Sequence, residues 1–541
     1  MILYSKMNKT LTSLLMLCFS AAWGALGQSL PTANATFAWV STAAGASGNI
    51  PDFSFDTNGN CYVVGHFNST NATIAGVTMT NLGTGYDSFV TKYDPRGQAQ
   101  WGQHLSGDAS DFGLGIAVAP TNWIYITGSF YSDVLTLGPF SVTNSTTTAN
   151  SDVFVAKLDL NGNVQWLRSF PGTATDTAYH TAVDHGGNIY ILGSFSSTTM
   201  IFDTITLSAT SGSSDIFLAK LDPAGNVLWA RSPGGSKPDT GYRMTIDASD
   251  NIFVTGYFGG TGTFGSTTLT SAGGDDVYVA KYNSSGDVQW AVGGGGTGTE
   301  EGFGIALDAA GNSYITGFFS SATATFGSQI IHRAGGNDMF VVKVSPTGTF
   351  LWARSAGGTG DDRGRDVAVD NQGNVYVSGV FSGTATFGTN ILTSVGGLDM
   401  FLTKYDPNGN LQWVVPFTGL SDDQANEIEF DGNGHLYMSG QGSTNTYFGT
   451  LTVTNSTNSV PFIGRLDFLP PNLSITRSNN RPILSWATNS LTPTIAQSTT
   501  NVGNTGSWHD LTNGTAIIGS LNAITNIAPT NPTFYRLRNL N

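Results

Sequence analysis

The stretch Asp370-Asn371-Gln372-Gly373-Asn374-Val375-Tyr376-Val377-Ser378-Gly379, continued by Met400-Phe401-Leu402-Thr403-Lys404 and Asp406-Pro407-Asn408-Gly409, decides the fold of this 541-residue chain. Asp at the first place of a tetrad can accept backbone N–H bonds. Gly at the fourth place supplies a left-handed residue, so both tetrads predict tight hairpin turns. The runs between them alternate or are wholly apolar over a handful of residues, which is the pattern of strands.

The pattern recurs along the chain. Trp39, Trp101, Trp166, Trp229, Trp290, Trp352 and Trp413 each stand in a short apolar run, at intervals of about 62 residues. Each is followed by a turn Asp or its stand-in: Asp56, Ala119, Asp184, Asp247, Asp308, Asp370 and Asp431. One unit reads as four strands: a Gly-Ile-Ala-Val-Asp type, a Tyr-Val-x-Gly type, a Phe-x-x-Lys type and the Trp strand. Four antiparallel strands repeated at this length make a propeller blade. The chain enters with the Trp39 strand alone, and the last unit stops at Phe462-Ile463-Gly464-Arg465-Leu466-Asp467 without a Trp strand. If residues 36–41 complete the blade ending near Asp467, the ring closes and leaves no sheet edge. A β-solenoid is the rival, but it has no need of complementary half-units at its ends. The expected fold is therefore all-β: a seven-bladed β-propeller closed by the N-terminal strand, followed by a small β-sandwich.

At this point the units resemble the bacterial SBBP β-propeller repeat, which reads Gly-Asn-x-Tyr-Val-x-Gly, then Asp-x-Phe-x-x-Lys-Tyr-Asp and Gly-Asn-x-x-Trp. The likeness spans roughly residues 36–467. It departs at Asn122-Trp123, where Gly-Asn is expected, and at the Trp-less last unit. The resemblance implies a secreted or surface protein and carries no catalytic residue across. Pro470-Pro471 ends the repeat. Runs such as Ile483-Leu484-Ser485-Trp486 and Phe534-Tyr535-Arg536-Leu537 predict the small sandwich over 468–541, which resembles fibronectin-type-III-like tails.

Only 11% of residues are charged, and 37 Asp+Glu outnumber 22 Lys+Arg for a formal charge of -15. Nucleic acid and anionic membrane surfaces need a basic footprint that this sequence lacks. Lys6 and Lys9, the apolar run Leu11 to Trp23 and the small residues Ala25-Leu26-Gly27 predict a signal peptide over 1–27, leaving a propeller domain over 28–467. No later segment reads as a membrane anchor. Cys18 falls inside the leader, so Cys61 is left without a disulfide partner.

Repetition also sorts chemistry, because a residue present in every unit serves the unit, whereas a site for one ligand is local. The Lys set (Lys92, Lys157, Lys220, Lys281, Lys343, Lys404, then Arg465) and the Asp five residues before each (Asp87, Asp152, Asp215, Asp276, Asp338, Asp399) read as architecture, with bonds to an adjacent strand or blade. Ten residues after each Trp come Asn49, Asp111, Asp176, Asp239, Glu300, Asp362 and Asp423. Two readings are open for these six carboxylates. They accept backbone N–H bonds in Gly-rich crossovers, or several converge on Ca²⁺, which takes six to eight oxygens. No other cofactor is expected.

Four residues before the turn Asp the units diverge: Asp52, Gly115, His180, Arg243, Gly304, Asp366 and Glu427. Of these, His180, Arg243, Asp366 and Glu427, with the neighbouring Arg365, are the candidate ligand residues at the channel mouth. No nucleophile elbow, zinc-binding His pair or phosphate loop appears, and no catalytic residue is assigned. The expected function is a secreted or envelope-associated, monomeric, non-catalytic binding or scaffold protein for an extracellular carbohydrate or protein. Two alternatives stand beside it: an extracellular hydrolase or lyase using channel-mouth carboxylates and His180, and a purely structural envelope protein.

Overall fold

The computed structural model describes residues 35–468, apart from 44–45, 82, 147–149, 210–212, 444, 450 and 454–458, and beyond them the backbone of strands between 474 and 539. The expected signal peptide lies outside the described residues. The chain divides into two compact units, one being Thr36–Asp467 and the other holding Phe468–Asn541 together with the residues up to Ala35. Every described element is a strand, and every pairing is antiparallel. No helix among the described residues is long and apolar enough to cross a membrane.

Thr36–Asp467 is a β-propeller. A representative sheet runs Asp111–Val118, Trp123–Phe130, Asp152–Asp159, Val164–Phe170 from inner to outer strand. The inner strands are Gly48–Phe55, Asp111–Val118, Asp176–Val183, Asp239–Ile246, Glu300–Leu307, Arg363–Val369 and Gln424–Phe430. Each touches the next in this order, and Gln424–Phe430 touches Gly48–Phe55. Strand Ala35–Thr42 lies at the edge of the sheet ordered Val460–Phe468, Leu436–Gly442, Gln424–Phe430. The core is the stack of apolar side chains between successive sheets, as where Tyr314, Met339 and Val341 pack on Val367, Val377 and Phe401.

The tetrads form the expected turns. Asp370 Oδ1 accepts the N–H groups of Gln372 and Asn374, both at 2.9 Å, and its Oδ2 accepts the Asn374 amide at 2.8 Å. Where the repeat departs at Asn122, that residue takes the left-handed conformation itself, with φ of 64°, which Asn tolerates better than most. The displaced aromatic, Trp123, lies under the Lys157 ammonium at 4.2 Å.

A second set of turns joins one unit to the next. The indole N–H of Trp101 donates to Leu160 O at 3.1 Å, that of Trp229 to Ser284 O at 3.2 Å, that of Trp290 to Pro346 O at 2.9 Å and that of Trp352 to Pro407 O at 3.2 Å. Trp39 makes the same bond to Pro95 O at 3.3 Å. The recurrent Lys follows the Trp: Lys157 reaches Pro223 O at 2.8 Å, Lys220 reaches Ser284 O at 3.2 Å, and Arg465 reaches Pro95 O at 3.1 Å. Lys220, Lys281 and Lys343 also pair with the turn residues Asp184, Asp247 and Asp308. The recurrent cation thus bonds outside its own strand, as its odd spacing from the strand Asp required.

Each unit holds more than the four strands expected. A short hairpin is inserted between the second and third strands, as in Thr323–Phe326 with Gln329–His332. In two units it is continuous with them, giving the long strands Ile252–Phe264 with Thr267–Tyr282 and Val375–Phe387 with Asn390–Tyr405. The hairpin reaches back to the outer strand of the preceding unit, pairing Leu137 with Leu105, Thr263 with Gly234 and Thr386 with Gly357. Its signal in the sequence was the repeated Thr-Phe-Gly at 263–265, 325–327 and 386–388, whose Phe264, Phe326 and Phe387 are fully buried.

The C-terminal strands form two antiparallel sheets. One has the order Ser474–Ser478, Arg481–Ala487, Leu521–Ile524, Thr515–Ile518, and the other His509–Asp510, Thr494–Thr499, Phe534–Asn539.

Gly373 and Gly409 separate two roles of one tetrad. Both have positive φ, at 79° and 77°. A Cβ at Gly409 would lie 2.9 Å from the Trp352 ring of the preceding unit, whereas one at Gly373 would meet only Pro407 Cγ at 3.4 Å. Gly373→Ala is expected to cost about 1–2 kcal/mol for the left-handed conformation alone. Gly409→Ala is expected to cost visibly more, because the Trp352 contact must also open. Equal costs in chemical denaturation would show that the Trp–Gly contact holds no energy.

Candidate functional site

The inner strands enclose a channel of about 490 Å³. Each inner strand carries a register shift just before the position where the repeat diverges: between Asn49 and Asp52, Gly113 and Gly115, Ala178 and His180, Gly241 and Arg243, Gly302 and Gly304, Gly364 and Asp366, and Ala425 and Glu427. A bulge re-aims the residues at the kink, and here it turns the divergent set toward the channel. Asp52, His180, Arg243, Asp366 and Glu427 all line it.

Arg243 reaches across the channel to three carboxyls. Its Nη1 lies 3.0 Å from Glu427 and 3.6 Å from Asp52, and its Nε lies 3.9 Å from Asp366. The carboxyls also hold the backbone of the neighbouring inner strand. Asp52 accepts from Ile116 N at 2.8 Å, Asp366 from Ile428 N at 3.0 Å and Glu427 from Phe53 N at 2.7 Å. Gly304 leaves room for this floor, since a Cβ there would fall 2.5 Å from Asp366 Oδ1.

Burial sets the titration of the floor, with charge neighbours second. Burial and then the nearby carboxyls outweigh Arg243 at Glu427 and hold it well above its ordinary range. Asp366 is pushed by burial up to about 7, Arg243 opposing, and Asp52 is raised for the same first reason. Burial opposes the Arg243 charge, but Glu427, Asp366 and Asp52 together keep that charge in place. His180 sits 3.8 Å from Asp52, and burial followed by Arg243 lowers it well below its usual value, so it is neutral.

Arg365 is the exception among the five candidate ligand residues. It is the inserted residue of its bulge, since Gly364 pairs with Gly379 and Asp366 with Ser378. It does not line the channel. Its guanidinium instead sits 5.3 Å above Phe303, at the end of a row in which Tyr179, Tyr242 and Phe303 meet edge to face with centroids 5.3 Å apart.

The six carboxylates of the metal reading are not brought together. Asp111 accepts from Ser132 Oγ at 2.8 Å, Asp176 from Ser197 Oγ at 2.7 Å and Asp239 from Gly235 N at 2.6 Å. Glu300 accepts from Gly296 N at 2.6 Å, Asp362 from Gly358 N at 2.7 Å and Asp423 from Thr446 Oγ1 at 2.8 Å. Each therefore holds its own crossover. Among the described residues no group of three or more His, Cys, Asp or Glu is placed to hold a metal ion.

What the spacing did not reveal is their partners. The Asp that opens the third strand of one unit faces the Asp or Glu that opens the inner strand of the next. Asp87 thus stands against Asp111, Asp152 against Asp176, Asp215 against Asp239, Asp276 against Glu300, Asp338 against Asp362 and Asp399 against Asp423. Oxygens of Asp87, Asp276, Asp338 and Asp423 are buried in these pairs without a hydrogen-bond partner. Burial first, and the opposing carboxyl among the remaining causes, push Asp111, Asp176, Asp239 and Asp362 up to about 7, and Asp276 and Asp423 to about 6.

The site residue that sequence reasoning missed is Glu429. It lines the channel two residues beyond Glu427, on the same face of the strand. Its signal was comparative: the matching places in the other units hold Ser54, Ala117, Ala182, Thr245, Ala306 and Ala368.

No protein-family model matches the sequence. Among curated proteins the chain is similar to an uncharacterized WD repeat-containing protein of Acanthamoeba polyphaga mimivirus, 25% identical over 378 residues that cover 55% of this chain and 27% of that protein. It is also similar to the regulatory protein FlaEY of Caulobacter vibrioides, 33% identical over 111 residues covering 20% and 12%. The chain therefore spans well under half the length of these relatives. Among solved structures it is similar in fold to a puromycin hydrolase, with TM-score 0.39, 11% identity and coverage of 82% and 59%. A gluconolactonase from Xanthomonas campestris has TM-score 0.31, 10% identity and coverage of 82% and 98%.

The carboxyl pairs give the fold a pH dependence of definite sign. A raised pKa means that the folded chain keeps protons which the unfolded chain, titrating near 3.8, has released. The stabilisation is full below about pH 4 and is lost as pH rises through 6–7. The turn residues act oppositely: in spite of burial, bonds from Asn side chains and N–H groups hold Asp184 and Asp308 below their ordinary value, so their contribution fades under acid. The melting temperature is expected to peak near pH 5 and to fall toward pH 8. Asp276→Asn should flatten the alkaline limb. A melting temperature that climbs from pH 5 to pH 8 contradicts this assignment.

Proposed function

We propose that the chain is an exported, non-catalytic binding protein: a seven-bladed propeller, closed by its own N-terminal strand, that takes an extracellular ligand into the central channel. The leader-like residues 6–27 support export. Circular closure is supported by Trp39, which bonds Pro95 as Trp101, Trp229, Trp290 and Trp352 bond the following unit, and by Ala35–Thr42 beside Val460–Phe468. The SBBP resemblance of the units agrees with this count.

One observation carries the binding reading over an enzymatic one. The charged side chains that meet across the channel are engaged with one another and with the backbone, as the bonds of Arg243, Asp52, Asp366 and Glu427 describe. A hydrolase needs a base or nucleophile free to approach substrate, which none of these four is; Glu429 is the one channel acid without a partner among the described residues. Next to these charged residues the inner strands present mostly small side chains to the channel, Ser54, Ala182, Thr245, Ala306 and Ala368, which leaves room for a ligand.

Two measurements test the proposal. Deleting residues 28–42 should lower the melting temperature sharply, because the sheet of Val460–Phe468 loses its outer strand and Pro95 its Trp; an equally stable product removes the closure. Ligand captured from glycan arrays or culture supernatant should be recovered unaltered, and capture should be lost in Asp366→Ala and in Ala368→Leu, which narrows the channel without touching the floor. Turnover of a captured molecule, abolished by Asp366→Ala, would instead establish the hydrolase or lyase.

A further inference from the structure

The channel wall breaks its own rule at one point. Two residues beyond the bulge, the inner strands present Ser54, Ala117, Ala182, Thr245, Ala306 and Ala368 around the lumen, all small, and in the seventh place Glu429. Small side chains keep the lumen open at this level, and a single long carboxyl projects into it. Among the described residues Glu429 has neither a hydrogen bond nor an ion pair, whereas Glu427 on the same strand is bonded to Phe53 N and Arg243.

We propose that Glu429 is the recognition group of the channel and that it takes the ammonium group of a ligand carrying a primary amine. The inference rests on the channel being a binding site and names the chemistry of its occupant. Four carboxyls, Asp52, Asp366, Glu427 and Glu429, face the lumen against the one guanidinium of Arg243, and His180 is neutral. A cation entering such an enclosed, low-dielectric space gains far more than it would in water. The Thr245 hydroxyl at the same level offers an oxygen to a second N–H of the ammonium. A lumen of about 490 Å³ admits a group the size of one or two sugar rings or a lysine side chain.

Glu429 titrates within a defined set of neighbours. Glu427 and Asp431 lie on its own strand and turn, Asp52, Asp366 and Arg243 face it from other inner strands, and Cys61 lies on the adjacent unit. Burial, then Glu427 and Asp366, raise it well above its ordinary range. An ammonium beside it favours the charged carboxylate, so binding is coupled to proton release.

The experiment is calorimetry on the full chain at pH 7.5, with glucosamine trimer and trilysine as amine probes and their fully N-acetylated forms as neutral twins. At least one amine probe should bind ten-fold or more tightly than its acetylated twin, with an enthalpy that varies with the ionisation heat of the buffer. Which amine wins tells an amino sugar from a lysine side chain. Glu429→Gln should remove the preference and the buffer dependence while melting at or above the wild-type temperature, since the half-buried carboxyl it replaces has no partner among the described residues to lose. Equal binding of amine and acetylated twin, a preference that survives in Glu429→Gln, or no amine binding at millimolar concentration each overturns the inference. If capture of unaltered ligand by the channel persists alongside such a result, only the role of Glu429 falls. If capture fails as well, the binding reading falls with it.

Discussion

The contact between a tryptophan of one unit and the turn of the next is what the rest of the architecture depends on. Trp352 lies against Gly409 and donates to Pro407 O, and the same pair of contacts joins Trp290 to Gly348 and Pro346, and Trp39 to Gly97 and Pro95. Sheets that meet only through apolar faces can slide on one another. A directional N–H bond beside a ring packed on a bare backbone fixes the offset. With that offset fixed, the inner strands fall at one radius and the bulges at one height, and only then do Asp52, His180, Arg243, Asp366 and Glu427 meet across a common lumen.

The recurrent acids and the divergent acids illustrate two uses of burial. In the crossovers, pairs such as Asp276 and Glu300 hold Gly-rich loops by collecting N–H bonds, and burial raises Asp276 toward its neutral form. In the channel Arg243 supplies the counter-charge instead. The first arrangement is repeated and serves shape. The second occurs at one place, and its neutralisation leaves Glu429 as the acid whose demand is unmet.

Much of the propeller was legible in the sequence because each unit repeats the same local demands. The Asp-x-x-Gly tetrads, the apolar runs and the Trp intervals predicted turns, strands and units, and the odd spacing of Asp338 and Lys343 foretold that the two would not bond to each other. The inserted hairpins were missed because their strands, such as Thr323–Phe326, are four residues long and merge with the flanking runs. Arg365 was grouped with Asp366 at the channel mouth because a regular strand gives no warning of the bulge that separates the two. The register shift depends on the match to the neighbouring strand, here Gly364 opposite Gly379, and a single strand does not record it. Glu429 was passed over because attention went to one divergent position per unit, and the next residue on the same face was not compared.

The joints have a genealogical consequence. Each internal unit carries both halves of its connection: a Trp and a cation to offer forward, a turn to receive them, and a hairpin that reaches back. Copying one unit in tandem would therefore create a new joint already complete on both sides, and losing one would leave its former neighbours able to engage. Changes in repeat number are thus tolerated at every seam, and the angle needed to bring the first tryptophan round to its partner is what limits how many copies a lineage can keep.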